Sequence, residues 1–229
     1  MPTDLVVQVL RVFTDERGNH GNQVGIVTDQ DGKVGDHQRL ELTRSLGFSE
    51  CVFIDSIKDR RLSIFSRTGE IPFAGHAAVG VAKLLSELTG ETTGMRSSRI
   101  VIHVREQAPV LWVSCELRAT PPWWHEHLTD VNVLESLQGP QSETQTHTQL
   151  WAWIDEPSGT VRARTFAPAW GIPEDEANGS GCMRLAAALG RRLTVIHGKG
   201  SVIYASPLGP GIAEVGGRVI RDRPRIVPV

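Results

Sequence analysis

The stretch Ile71–Leu85, "IPFAGHAAVGVAKLL", decides the fold. It opens as an apolar extended run, turns at Gly75-His76, and continues as a helix with almost no polar face. From Ala77 to Leu85 only Lys83 is charged. A helix that is apolar all round must be buried on every side. A hundred residues later Ile172–Leu189, "IPEDEANGSGCMRLAAAL", repeats the pattern, with Arg184 as the lone charge from Gly181 to Leu189. Working outward, "LSIFSRTGEIPFAGHAAVG" and "RARTFAPAWGIPEDEANGSG" share one order: strand, Phe, turn, Ile-Pro, Gly-polar, helix. Phe65 corresponds to Phe166, and Ile71-Pro72 to Ile172-Pro173. This reads as an internal duplication of two units.

The rest of the chain supplies strands to bury those helices. Runs such as "LVVQVLRVF", "CVFIDSI", "RLSIFSR", "VLWVSCELRA", "LWAWIDE" and "SVIYAS" are β-rich and bounded by turn formers. The predicted fold class is α+β. It comprises two similar domains, residues 1–100 and 101–229, each a barrel-like, mostly antiparallel sheet wrapped around a central buried helix, with the last strand able to return to the first domain. Minor helices are predicted over Asp36–Leu46, capped by Asp36 and ended by Gly47, and over Asn132–Leu137, capped by Asp130. Residues 138–149, "QGPQSETQTHTQ", read as a loop.

Composition excludes several functions. Of 229 residues, 40% are hydrophobic and 22% charged, with a net charge of -2, so nothing draws the chain electrostatically to nucleic acid or an anionic membrane. No apolar run approaches the roughly 20 residues of a membrane span. The first residues carry no leader pattern, and a cytoplasmic location is expected. Three cysteines, Cys51, Cys115 and Cys182, stand far apart without a CxxC pair, so neither a disulfide framework nor a metal site is expected.

The candidate site grows from the two helix starts. The first N–H groups of a helix lack internal partners, and the dipole leaves that end partly positive. Gly75-His76 and Gly179-Ser180, brought together by an internal two-fold, would hold a small carboxylate between them. The same residues would also serve as two plain helix caps. Glu50 sits in "LGFSECVFID", where a helix ends and a strand begins, among apolar neighbours. Burial there would raise its pKa and equip it to take and give a proton; a solvated junction is the alternative. Asp175 either binds substrate, orients His76, or completes a solvated acidic turn. Asn22 either reaches the substrate from its loop or serves the turn alone. "PPWWHEHL", Pro121–Leu128, reads as a surface or interface segment.

Four stretches together resemble the phenazine-biosynthesis PhzF-like isomerase family, of the diaminopimelate epimerase-like superfamily. They are "VFTDERGNHGNQVGIV" (12–27), "FSECVFI" (48–54), "EIPFAGHAAVG" (70–80) and "RTFAPAWGIPEDEANGSG" (164–181). The resemblance implies a homodimeric, cofactor-independent isomerase that moves a proton within a small carboxylic acid, as in isomerisation of trans-2,3-dihydro-3-hydroxyanthranilate. It implies that Glu50 is the acid/base residue, with His76, Asp175 and Ser180 lining the pocket. The superfamily's racemases place a cysteine before each helix-start glycine. Here those positions are Ala74 and Asn178, which argues against an amino-acid epimerase. A non-catalytic carboxylate-binding module is the third reading. The chain departs from the family pattern at Asn178, usually Thr, at Gln23, usually Pro, and at Arg67, where a charge is added beside the site.

Overall fold

The structure is a computed structural model that describes residues 4–142 and 145–228. In the first half, β1 (Leu5–Thr14), β2 (Asn22–Thr28), α1 (Asp36–Leu46), β3 (Glu50–Ser56), β4 (Arg61–Ser66) and β5 (Gly69–Ile71) lead into α2 (Gly75–Thr89), followed by β6 (Met95–Ser97) and β7 (Val101–Gln107). The second half runs β8 (Val110–Glu116), β9 (Trp124–His127), α3 (Val131–Ser136), β10 (Thr148–Asp155), β11 (Thr160–Ala167), β12 (Ile172–Asp175), α4 (Gly179–Leu189), β13 (Leu193–His197) and β14 (Ser201–Gly209). Two strands, β15 (Ile212–Arg221) and β16 (Arg225–Val227), close the chain.

Strand pairing shows the duplication directly. Around α2, β2 runs parallel to β3, β3 antiparallel to β4, and β4 pairs antiparallel with β5 and parallel with β6. Around α4 the same relations recur among β9, β10, β11, β12 and β13. The strand and helix order of the first half thus repeats in the second.

Hydrogen-bonded neighbours β1-β2-β3-β4-β6-β7-β8-β15 return to β1, so the first sheet closes on itself. The second sheet, β8-β15-β14-β13-β11-β10-β9, stays open at the four-residue β9. β15 serves both sheets: Ile212 to Gly217 pair with β8, and Arg218 to Arg221 with β1.

Each apolar helix fills a sheet. α2 buries Gly75 to Ala82, Leu84 and Leu85, and α4 buries Gly179 to Met183, Leu185 and Ala186. Leu10, Val12, Val24, Ile26, Ile64 and Val113 pack into the same core as α2. Gly80 sits within α2 because a Cβ there would lie 2.7 Å from a Val24 methyl. That close approach offsets the roughly 1 kcal/mol helical cost of glycine. Outside the closed sheet, Leu42 of α1 shares a buried cluster with Val7, Cys51 and Phe53, and Leu134 of α3 shares one with Leu150, Ala152 and Phe166.

Helix ends differ slightly from expectation. Gly35, not Asp36, is the N-cap of α1; Asp36 falls in the first turn, where its charge meets the helix dipole, and Gln38 accepts from the Gly35 N–H. Gly47 ends α1 in the left-handed conformation, φ 77°, and Asp130 caps α3 through the Asn132 N–H. The loop expected over 138–149 gives way to β10 at Thr148, and Glu143 and Thr144 lie outside the described residues. Among the described residues, no helix is long and apolar enough to cross a membrane.

Candidate functional site

The two helix starts touch. A Cβ on Gly75 would lie 2.9 Å from the Cα of Gly179, and a Cβ on Gly179 would lie 3.1 Å from the Cα of Gly75. A side chain at Gly75 would force the helix starts apart, and one at Gly179 would need the Gly75 backbone and the Phe13 ring to give way by a few tenths of an ångström. A cavity of about 200 Å³ opens beside this contact. Gly75, His76, Gly179 and Ser180 line it from the helices, Glu50 from the start of β3, and Asp175 from the end of β12.

Local sequence explains each placement. Gly47 stops α1 and the chain re-enters the sheet at Glu50, paired across β4 with Ser66. The Glu50 side chain is 13% exposed and that of His76 is 5% exposed; Oε2 of Glu50 and Nε2 of His76 are 3.2 Å apart. The pair falls outside hydrogen-bond geometry, and neither atom has another partner. Burial pushes the Glu50 carboxyl up to about 8; the negative charge of Asp175 adds to this, and the Arg67 guanidinium opposes it. Burial holds the His76 imidazole down at about 4. Near neutral pH both groups are therefore mostly uncharged, and a carboxyl proton has an empty imidazole lone pair or a bound ligand as its nearest acceptor.

Asp175 is fully clamped. Oδ1 accepts from Asn22 Nδ2 at 2.8 Å and from the Ala177 N–H at 3.3 Å, and Oδ2 accepts from Asn178 Nδ2 at 3.0 Å. Burial nevertheless raises its pKa. Asn22 does not line the cavity; it stands behind Asp175 and fixes the carboxylate's orientation. Asn178 has two tasks, since its Oδ1 also accepts from the Gly181 N–H at 2.6 Å as the N-cap of α4. Ala74, the corresponding N-cap of α2, makes no side-chain cap. The N–H groups of the first turn of α2 thus have no side-chain acceptor.

No cysteine lines the cavity. Cys182 is fully buried, its sulfur 3.5 Å from Gln149 Nε2, and burial raises the thiols of Cys51, Cys115 and Cys182 to about 12. Such thiols are inert near neutral pH. No cluster of three metal-ligating side chains occurs among the described residues.

Arg67 does line the cavity, but Nε donates to the Phe48 carbonyl at 3.2 Å and Nη2 to the Gly47 carbonyl at 2.8 Å. It ties the end of α1 to the site as well as placing charge near Glu50. Sequence reasoning missed Trp123 and Trp170, which form one wall with centroids 4.8 Å apart. "PPWWHEHL" is only partly a surface segment: Trp124 is 67% exposed, whereas Trp123 is 9% exposed and faces the cavity. Adjacent residues of an extended segment point to opposite sides, and that alternation was the available signal.

A family model described as phenazine biosynthesis-like protein matches residues 10–111. Over that stretch the chain is similar to the phenazine biosynthesis-like family. The trans-2,3-dihydro-3-hydroxyanthranilate isomerase of Pseudomonas aeruginosa is 26% identical to this chain over 217 residues, covering 78% of each protein. The fold matches the crystal structure of a PhzF-family phenazine biosynthesis protein from Bacillus anthracis, with a TM-score of 0.78 and 17% identity over 99% of this chain and 100% of that one. It also matches, at a TM-score of 0.62 and 12% identity over 100% of this chain and 94% of that one, a hydroxyproline epimerase from Agrobacterium vitis with bound trans-4-hydroxy-L-proline. The fold is therefore shared with PhzF-family proteins and with an epimerase, and relatives of this chain are isomerases.

Proposed function

We propose that this protein isomerises a small, cyclic, unsaturated carboxylic acid by moving one proton between two of its carbons, with Glu50 as the carrier. The observation that carries this reading is the buried Glu50 carboxyl, raised to about 8, in contact with His76 at the mouth of two abutting helix N-termini. An ordinary carboxylate is too weak a base for a carbon acid, and one near 8 is matched to give and take a proton close to neutral pH.

The ionised form of Glu50 removes a proton from a ring carbon. The C–H bond breaks, an O–H bond forms, and the electron pair spreads into the system conjugated with the substrate carboxylate. The first-turn N–H groups of α2, those of α4 that the Asn178 cap leaves free, and the Ser180 hydroxyl bind the developing negative charge. Glu50, its proton open to exchange with water between the two steps, then delivers a proton to a different carbon of the same face, and His76 holds the carboxyl in place between the two transfers. General acid–base catalysis of this type contributes about 10² to 10⁴-fold. No metal or organic cofactor enters these steps.

Two observations support the substrate class. An apolar cavity of about 150 Å³ accommodates a benzene ring, so about 200 Å³ suits one six-membered ring with a small polar substituent. Trp123 and Trp170 supply a flat aromatic wall for such a ring. The Pseudomonas relative is named for a hydroxylated dihydroanthranilate, which has this character. The epimerase reading requires two acid/base groups on opposite faces of one carbon. Ala74 and Asn178 offer neither a thiol nor another proton carrier there.

The test is incubation with a metabolite extract in deuterated water. A carboxylic acid that gains one mass unit and changes retention supports the reading. A bound acid that neither isomerises nor exchanges a carbon-bound proton reduces the protein to a binding module.

A further inference from the structure

The Ser180 hydroxyl is not free to choose its role. Trp123 Nε1 donates to Ser180 Oγ at 2.8 Å in a buried contact. Indole nitrogen is a donor only, so this bond occupies an oxygen lone pair and leaves the Ser180 hydrogen to be given elsewhere. Its alternative acceptor within the protein is Asn178 Oδ1 at 3.5 Å, an oxygen already bound by the Gly181 N–H at 2.6 Å. That is a long contact to a committed acceptor, so a better acceptor in the cavity would win the hydrogen.

Trp123 is itself locked in place. It is 9% exposed, packs edge-on against Trp170 at 4.8 Å and lies 6.3 Å from the His147 ring, and His147 stacks on Trp170 at 5.0 Å. Rotating the indole away from Ser180 would break this aromatic set.

We infer that Trp123 is a positioning residue that biases the Ser180 hydroxyl toward donating to the ligand, so that the site favours a carboxylate over an uncharged amide of the same shape. This rests on the carboxylate-binding reading of the cavity. A carboxylate presents acceptors only, and gains a charge-assisted bond from an aimed hydroxyl. An amide offers one uncharged acceptor, and its NH₂ meets a Ser180 oxygen that Trp123 already engages through one of its two lone pairs.

The probes are benzoate and benzamide, ring compounds of matched shape that cannot react, measured by titration calorimetry. Wild-type protein is expected to bind benzoate more tightly than benzamide. Trp123→Phe keeps an aromatic ring and removes the N–H. It should weaken benzoate about tenfold, as loss of one aimed, charge-assisted bond does, while changing benzamide little. Trp123→Phe combined with Ser180→Ala should be no worse for benzoate than Ser180→Ala alone. Trp170→Phe, which trims the same wall without touching Ser180, should leave the benzoate-to-benzamide ratio unchanged.

Equal weakening of both probes by Trp123→Phe would make Trp123 a wall and nothing more, and full additivity with Ser180→Ala would likewise overturn the inference. Failure of wild-type protein to bind benzoate would remove the carboxylate site and the inference with it. Benzoate binding with the expected ratios, but no proton exchange on any substrate, would remove the isomerase reading and leave the role of Trp123 standing.

Discussion

Oε2 of Glu50 lies 3.2 Å from Nε2 of His76, both side chains are nearly buried, and neither atom has another partner. Such unmatched polar atoms cost free energy in a folded core and are retained where a ligand or a reaction uses them. Burial moves the two groups in opposite directions, Glu50 to about 8 and His76 to about 4. The contact is thus between two uncharged groups near neutral pH, and it becomes a proton-holding pair only when substrate chemistry supplies or takes a proton.

This arrangement sets the sign of the stability–pH curve. The pKa of Glu50 is raised from 4.5 to about 8, so between those values the folded chain keeps a proton that the unfolded chain has lost, and stability falls as pH rises. His76 and His197, lowered from 6.5 to about 4, act oppositely: stability from them rises with pH between about 4 and 6.5 and is then flat. From pH 6.5 to 8 Glu50 alone of the three is active, contributing a loss of about 2 kcal/mol. Urea unfolding should show this loss in the wild type and not in Glu50→Gln. Parallel curves for the two proteins would mean an ordinary, solvated Glu50.

The abutment of α2 and α4 makes a second prediction. Gly75→Ala places a methyl 2.9 Å from the Gly179 Cα, backbone that cannot rotate aside. Forcing a methyl into packed structure costs about 1–3 kcal/mol. The thermal midpoint should drop, and ligand binding should weaken beyond what the stability loss explains, because the two N-termini separate. Wild-type affinity in a folded Gly75→Ala protein would show that the ligand does not need both helix starts.

Asn178 offers a third. Its side chain both caps α4 and holds Asp175. Asn178→Ala should cost about 1 kcal/mol for the lost cap. Asn178→Ser, which keeps a capping oxygen but no amide donor, should recover most of the stability and none of the Asp175 clamp. If proton transfer depends on that clamp, turnover stays low in both variants while stability separates them.

Much of this was legible in the sequence because it is written in local pattern. The all-round apolar character of α2 and α4 announced buried helices, and the spacing of Phe65-Ile71 and Phe166-Ile172 announced the duplication. Glu50 was legible from its apolar neighbours at a helix-to-strand junction. What local pattern could not carry was partnership across the chain. Asn22 meets Asp175 from 153 positions away, and Trp123 meets Ser180 from 57. Nor could it show that the first sheet closes while the second stays open, since closure depends on β15 turning from β8 to β1. Asp36 was misplaced by one residue because a glycine N-cap carries no side-chain signal.

The most direct measurement compares wild-type protein with Glu50→Gln on the acid that the wild type labels in deuterated water. Gln keeps the shape of the side chain and cannot carry the proton. The account predicts that Glu50→Gln still folds and still binds the acid, while deuterium incorporation and isomerisation fall by at least about 10²-fold. Full exchange and turnover in folded Glu50→Gln would contradict it.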